Sequence, residues 1–319
     1  MACYLVTGGA GFIGSHLVDA LIGDGHSVRV LDNLTSGSLK NIPVKAVFIK
    51  GDITDPEVVA QALEGVDGCF HLAAIASVEQ CKRDWLRTHQ VNLTGAINVF
   101  DAVRRASTAG KLPIVYASSA AVYGNYGAEP AREEGRALPL SAYGADKLGC
   151  EMQARAAGLA YGLCTVGLRF FNIYGPRQDP RSPYSGVIAI FLDRLRRGEP
   201  IEIFGDGNQV RDFTYVSDAV GAAKRAMAAA SPSAPVFNIC TGSGTTIRRL
   251  AEMTADLCQT ALVARHRPAR CGEVPVSIGD PTRAARELGF GARIDLLQGL
   301  ALTLEAPHSA EFAAAPALA

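Results

Sequence analysis

The chain has 319 residues, of which 48% are apolar and 19% charged, an ordinary globular balance with ample material for a core. Its 31 Lys and Arg equal its 31 Asp and Glu, so no net charge draws in nucleic acid or an anionic membrane. No apolar run reaches the ~18 residues of a spanning helix, and the eight cysteines form neither a C-x-x-C pair nor a cluster with histidine, which argues against a metal site.

The first residues run directly into a strand, with no basic segment and no small-residue cleavage site, as expected of a cytoplasmic protein. Cys3, Cys69, Cys164 and Cys240 lie in apolar runs and read as small core residues, reduced in that compartment. The pattern then predicts a strand at 3–7, a helix over 12–24 stopped by Gly25, and strands at 27–32 and 46–50. A helix at 57–64, a strand at 68–72 and a long helix near 83–106 follow, then a strand at 113–117, a helix at about 142–160 and a strand at 165–169. Apolar strands alternating with helices imply an α/β fold, a doubly wound parallel sheet buried on both faces. After Phe171 the regularity weakens: a loop at 175–184, a helix at 187–198, a strand at 201–204 with a turn at 205–208, a strand at 236–240 and a helix at 247–257. We therefore expect a dinucleotide-binding domain over 1–170 and a smaller substrate-binding region over 171–305 with some elements returning to the first sheet; the Ala- and Pro-rich tail, 306–319, reads as frayed. The short basic runs Arg104-Arg105, Arg194 to Arg197 and Arg248-Arg249 fall in helical segments and read as solvated faces.

Thr7 to Gly14 reads T-G-G-A-G-F-I-G between the first strand and the first helix. Gly8, Gly11 and Gly14 permit a tight turn, close approach of backbone N–H groups to a pyrophosphate, and close packing of helix on strand. The helix N-terminus then faces the phosphates. Asp32 ends the second strand about twenty residues on, where a carboxylate accepts hydrogen bonds from an adenosine ribose. No Lys or Arg stands beside Asp32 to receive a 2′-phosphate, so NAD is favoured over NADP. Asp52, in G-D-I-T-D, either meets the adenine edge or caps the helix that starts near Pro56.

Tyr143 and Lys147 stand four apart and share one helix face. A phenol titrates near ~10 and is a poor base at neutral pH. A nearby ammonium and a positively charged nicotinamide favour the phenolate, which moves it toward the range of a general base. Lys147 can also hold the nicotinamide ribose, and Ser119, in S-S-A-A-V-Y-G at the end of the preceding strand, can share the substrate's proton. Such a set next to a dinucleotide points to redox chemistry at a hydroxyl-bearing carbon.

With these motifs, L-D-N-L-T-S-G, H-L-A-A, V-N-L-T-G, Y-G-A-D-K, R-F-F-N-I-Y-G-P-R-Q, V-R-D-F-T-Y-V-S-D-A and the late R-C-G-E, the chain resembles the extended short-chain dehydrogenase/reductases, and within them the UDP-sugar 4-epimerases, from residue 3 to about residue 290. The resemblance implies a Rossmann domain that binds NAD tightly, with Phe12, Ile13, Asn33, Asp52, Ile53, Leu72, Ala73, Ala74 and Asn92 joining the glycines, Asp32, Tyr143 and Lys147 around the cofactor. It implies that Tyr143 takes the proton of the sugar 4-hydroxyl, that a transient 4-keto sugar turns over in the pocket, and that the other C4 epimer is released. Ser119 matches the family serine, Asn172 the substrate-contacting Asn, and Arg211 and Arg270 the arginines that hold the UDP diphosphate, which suits their planar forks. A surface ion pair is the alternative reading of either arginine. The family often dimerises through a four-helix bundle, here the helices near 83–106 and 142–160, so a homodimer is expected.

The related 4,6-dehydratases place Asp-Glu where Ala120-Ala121 stand, and the uronate decarboxylases a Glu at the position of Ala121, so the resemblance narrows to plain epimerisation. Two smaller departures are Cys240, expected to be a tolerated core change, and Cys271, in place of a proline. Where related epimerases crowd the sugar 2-substituent with a Tyr, this chain has Ser277, and the stretch Q-D-P-R-S-P-Y-S-G-V-I from Gln178 resembles N-acetyl-tolerant members. UDP-N-acetylglucosamine is therefore expected as a substrate beside UDP-glucose. UDP-glucuronate is the rival, with Arg177 as the candidate partner of its carboxylate, and a non-catalytic nucleotide-binding protein is a third reading, opposed by the intact Ser119, Tyr143 and Lys147.

Overall fold

The computed structural model describes residues 1–106, 112–180, 182, 185–270 and 272–306. The first half runs β1 (Cys3–Thr7), α1 (Phe12–Gly23), β2 (Ser27–Asp32), β3 (Val47–Lys50), α2 (Pro56–Leu63), β4 (Gly68–His71), α3 (Val78–Arg83), α4 (Trp85–His89), α5 (Gly95–Ala106), β5 (Ile114–Ser119), α6 (Ala142–Tyr161) and β6 (Thr165–Phe170). The second half runs β7 (Asn172–Tyr174), α7 (Val187–Arg196), β8 (Ile201–Phe204), β9 (Val210–Arg211), β10 (Phe213–Tyr215), α8 (Val216–Ala226), β11 (Val236–Ile239), β12 (Thr245–Thr246), α9 (Ile247–Leu257), β13 (Ala264–Arg267), β14 (Val276–Ser277), α10 (Thr282–Leu288) and α11 (Leu296–Glu305).

Seven strands form one sheet in the order β11-β6-β5-β4-β1-β2-β3, and every neighbouring pair is parallel. Consecutive strand residues divide between two cores: Val6, Val30, Phe70 and Val115 join one, Leu5, Leu31, Cys69 and Ile114 the other. That division explains why these strands read as continuous apolar runs. The order reverses between β1 and β4, so a crevice opens beyond their carboxyl ends, the usual ligand position in such sheets. The smaller pairings β10-β7, β12-β9-β14 and β13-β8 organise the second half, and β11 returns to the main sheet as its edge.

The long helix expected near 83–106 is interrupted. Asp84 leaves helical geometry, its carboxylate accepts the Arg87 N–H to cap α4, and Gln90–Thr94 forms a wider π turn before α5. Two of the cysteines expected in the core, Cys69 and Cys240, are fully buried, whereas Cys3 and Cys164 are only half-buried, because each sits at a strand margin. Cys271 and all of the tail except Ala306 lie outside the described residues. No helix is long and apolar enough to cross a membrane, and no group of three His, Cys, Asp or Glu could hold a metal ion, among the described residues.

Candidate active site

The glycine loop is held by close contacts that a side chain would break. Gly8 has φ +71°, and a Cβ there would lie 2.7 Å from the Ala73 amide nitrogen. A Cβ on Gly14 would lie 2.1 Å from the Gly8 carbonyl oxygen, so this glycine lets α1 pack onto the loop. α1 starts at Gly11 with neither a side-chain cap nor an acid in its first turn, which leaves its positive end open to an anion. Phe12 and Ile13 form that first turn. Opposite it, Thr7 Oγ1 accepts the Ala73 N–H and pairs with His71 Nδ1 at 2.8 Å, joining the Leu72–Ala74 segment to β1. Burial, and next the charge of Lys147, hold His71 down to about 3, so its ring is neutral.

Asp32 is buried, and its carboxylate accepts the N–H groups of Ala10 (3.0 Å) and Leu34 (2.8 Å). Burial raises its pKa and those two bonds oppose the rise. Asp52 does not cap α2; Asp55 does, accepting from the Glu57 and Val58 amides, because only it sits at the N-cap position. Asp52 instead receives Asn33 Nδ2 at 2.9 Å and Arg87 Nη2 at 3.0 Å beside the end of β3. Ile53 is buried, and Asn92 is buried with its amide bonded to both the N–H and the carbonyl of Ile75, so it props the segment after Ala74 from behind. The open helix end, the glycine cradle and the buried acid at the next strand end together fit an NAD molecule.

α6 carries the second half of the site. Ser141 caps it, which sets Tyr143 in its first turn. Lys147 Nζ lies 5.9 Å from the centre of the Tyr143 ring and donates to the Ala117 carbonyl at 2.8 Å. Ser119 ends β5, and its hydroxyl accepts the Ala121 N–H. Gly144 comes so close to this turn that a Cβ would sit 2.5 Å from the Ala121 carbonyl oxygen. Sequence reasoning passed over Gly144, yet it is what presses the Tyr143 end of α6 against the Ser119 turn.

The second half carries the remaining predicted residues. Asn172 in β7 donates its amide to the Asp212 carbonyl at 2.9 Å. Arg211 in β9 pairs with Glu273 at 3.0 Å and is mostly buried; burial lowers its pKa, and Glu273 counters this. The ion-pair reading therefore applies to Arg211, but through a residue of the Arg270 turn: the Glu273 N–H bonds back to the Arg270 carbonyl, so the two arginines share one corner. Arg270 stacks on the Phe204 ring at 4.0 Å. Ser277 pairs with Arg211 across the strands and lines a small cavity with Ala120, Tyr126, Glu129 and Phe171. Arg177 is engaged elsewhere, with Asp19 at 2.6 Å. Asp212 was not singled out from sequence, though it lies in V-R-D. Fully buried, its carboxylate takes the Thr241 N–H and hydroxyl and the Gly242 N–H, tying β9 to the loop after β11.

The model of the NAD dependent epimerase/dehydratase family matches residues 4–240. The chain belongs to this family. It is 37% identical over 308 residues to the UDP-glucose 4-epimerase of Mycolicibacterium smegmatis, covering 94% of this chain and 97% of that one. Among solved structures it superposes on the UDP-glucose 4-epimerase of Thermotoga maritima, with UDP-glucose, at a TM-score of 0.91 and 39% identity, covering 95% and 97% of the two chains. It superposes on the UDP-N-acetylglucosamine 4-epimerase of Methanobrevibacter ruminantium, in complex with UDP-N-acetylmuramic acid, at 0.87 and 35%, with the same coverage. As a member of this family the chain is an NAD-dependent enzyme.

Proposed function

We propose that the enzyme interconverts the C4 epimers of a UDP-hexose. The carrying observation is the placement of Tyr143 and Lys147 on one face of α6, pressed by Gly144 against the turn that follows Ser119. NAD, held by Gly8, Gly11, Gly14 and Asp32, supplies the acceptor and donor for the C4 hydrogen. Tyr143 takes the proton from the sugar 4-hydroxyl and returns it after the 4-keto sugar has turned. Lys147, fixed by the Ala117 carbonyl, supports the phenolate by its charge. Ser119 holds the hydroxyl in line, Asn172 contacts the substrate, and Arg211 and Arg270 hold the diphosphate. With Ala120 and Ala121 in the turn, no carboxylic acid stands there to drive an elimination.

Both UDP-glucose and UDP-N-acetylglucosamine fit this reading, because the small Ser277 borders the cavity beside Ala120. Assay of the purified enzyme on both pairs, with chromatographic separation of the epimers, is expected to show comparable turnover. Ser277→Tyr is expected to lower turnover of the acetylated pair by about tenfold or more relative to the other pair. Complete inactivity of the parent enzyme on the acetylated pair would remove this assignment. The Asp19 partner of Arg177 counts against a uronate, whose carboxylate would find that guanidinium occupied.

The enzyme is also proposed to work as a homodimer. Met152, Leu159 and Tyr161 on α6 and Trp85 and Leu86 on α4 are large and exposed. Light scattering should give twice the chain mass of 33.5 kDa; a monomer at micromolar concentration would contradict it.

A further inference from the structure

Behind the proposed reacting groups lies a buried polar cluster. Tyr143, Lys147 and Glu151 follow one another at intervals of four, so they form a single stripe along α6. The second and third members end on consecutive residues of β5. Lys147 Nζ donates to the Ala117 carbonyl at 2.8 Å, and the Ser118 hydroxyl donates to Glu151 Oε1 at 2.5 Å. The next residue of the strand is Ser119. Arg169, in β6, makes a two-pronged pair with Glu151 at 2.9 and 2.7 Å. Its remaining nitrogen donates to the Tyr123 hydroxyl at 2.8 Å, and that hydroxyl donates to Asn238 Oδ1 of β11 at 2.6 Å. The side chains of Lys147, Glu151, Ser118, Arg169, Tyr123 and Asn238 are all at least nine-tenths buried.

We infer that Glu151 and Ser118, through Arg169 and Tyr123, are positioning residues that set where the Ser119 turn stands relative to Tyr143. The cluster grips both ends of the segment from Ser118 to Tyr123, and that segment carries Ser119 and the Ala120 wall of the sugar cavity. It also grips the helix that carries Tyr143, two turns along. A buried ion pair is a poor device for stability alone, since apolar side chains of equal volume commonly do as well. What this one adds is direction: the guanidinium fork and the carboxylate fix the angle and distance between β5, β6 and α6. Proton transfer depends on such placement, and a misplacement of about 1 Å costs on the order of 100-fold in rate.

The inference rests on the proposed role of Tyr143, and its test separates the two. Ser118→Ala removes one hydroxyl and leaves Glu151 still paired with Arg169, so the fold keeps its buried ion pair intact. It is expected to lower kcat about tenfold or more, with KM for the UDP-sugar, bound-nicotinamide content and melting temperature as in the parent. Parental kcat would overturn the inference, as would a rise in KM that accounts for the lost rate, or a loss of rate accompanied by an equal loss of bound nicotinamide or of folded protein. Tyr143→Phe is measured alongside. Parental turnover in that variant refutes the proposed role of Tyr143 and with it this inference; an inert Tyr143→Phe beside a fully active Ser118→Ala refutes the positioning inference alone.

Discussion

Tyr143→Phe is expected to lose about a thousandfold or more of kcat while binding UDP-sugar as the parent does. General base catalysis by one positioned group contributes roughly a hundred- to ten-thousandfold, and no neighbour can take over. Lys147 is held by the Ala117 carbonyl, with its nitrogen 5.9 Å from the ring centre, and the Ser119 hydroxyl is engaged with the Ala121 amide. The substitution removes a single oxygen and leaves the ring to pack, so binding should be unchanged. Steady-state kinetics beside calorimetric binding of UDP-sugar distinguishes the cases: a fall in kcat at constant affinity identifies an interaction made during reaction rather than on binding.

Arg169→Leu is expected to give the largest loss of stability, about 3–5 kcal/mol. Its side chain is buried against Glu151, and the bonds to that carboxylate keep the guanidinium charged against burial, which favours the neutral form. Removing it strands a carboxylate in the protein interior beside Ser118, and deprives the Tyr123 hydroxyl of its donor. Denaturant melts of the single variant, of Glu151→Leu and of the double variant test this. The double variant should recover a substantial part of the loss, since it removes both charges together. A single-variant loss below about 1 kcal/mol would mean that water reaches the pair.

The first half of the fold was legible because its strands are buried on both faces. Leu5-Val6 and Val30-Leu31 each send one apolar side chain to either core, so a run of apolar residues with a glycine or an acid at its end marks the strand. The glycine loop and the Tyr143/Lys147 pair were legible because each depends on spacing within one segment. What escaped depended on contacts between segments. β9, β12 and β14 have two residues each and no period to read. α8 follows β10 with Tyr215 at its N-cap and no capping side chain, so it lacks a start signal. The break at Asp84 looks in sequence like any polar helix residue. Pro56 at the first helical position marks Asp55, rather than Asp52, as the cap of α2, a local signal that the reading of Asp52 overlooked. The pairing of Glu151 with Arg169 joins α6 to β6, and no spacing within either segment announces it.

The most direct test of the account places deuterium on C4 of the UDP-hexose and follows it into the product epimer in ordinary water. Tyr143 is held to move only the hydroxyl proton, so the hydrogen bonded to C4 never meets solvent. Both epimers are expected to keep the label at C4 through many turnovers. Loss of deuterium to water at the rate of epimerisation would contradict it, since the inversion would then proceed by proton exchange at carbon.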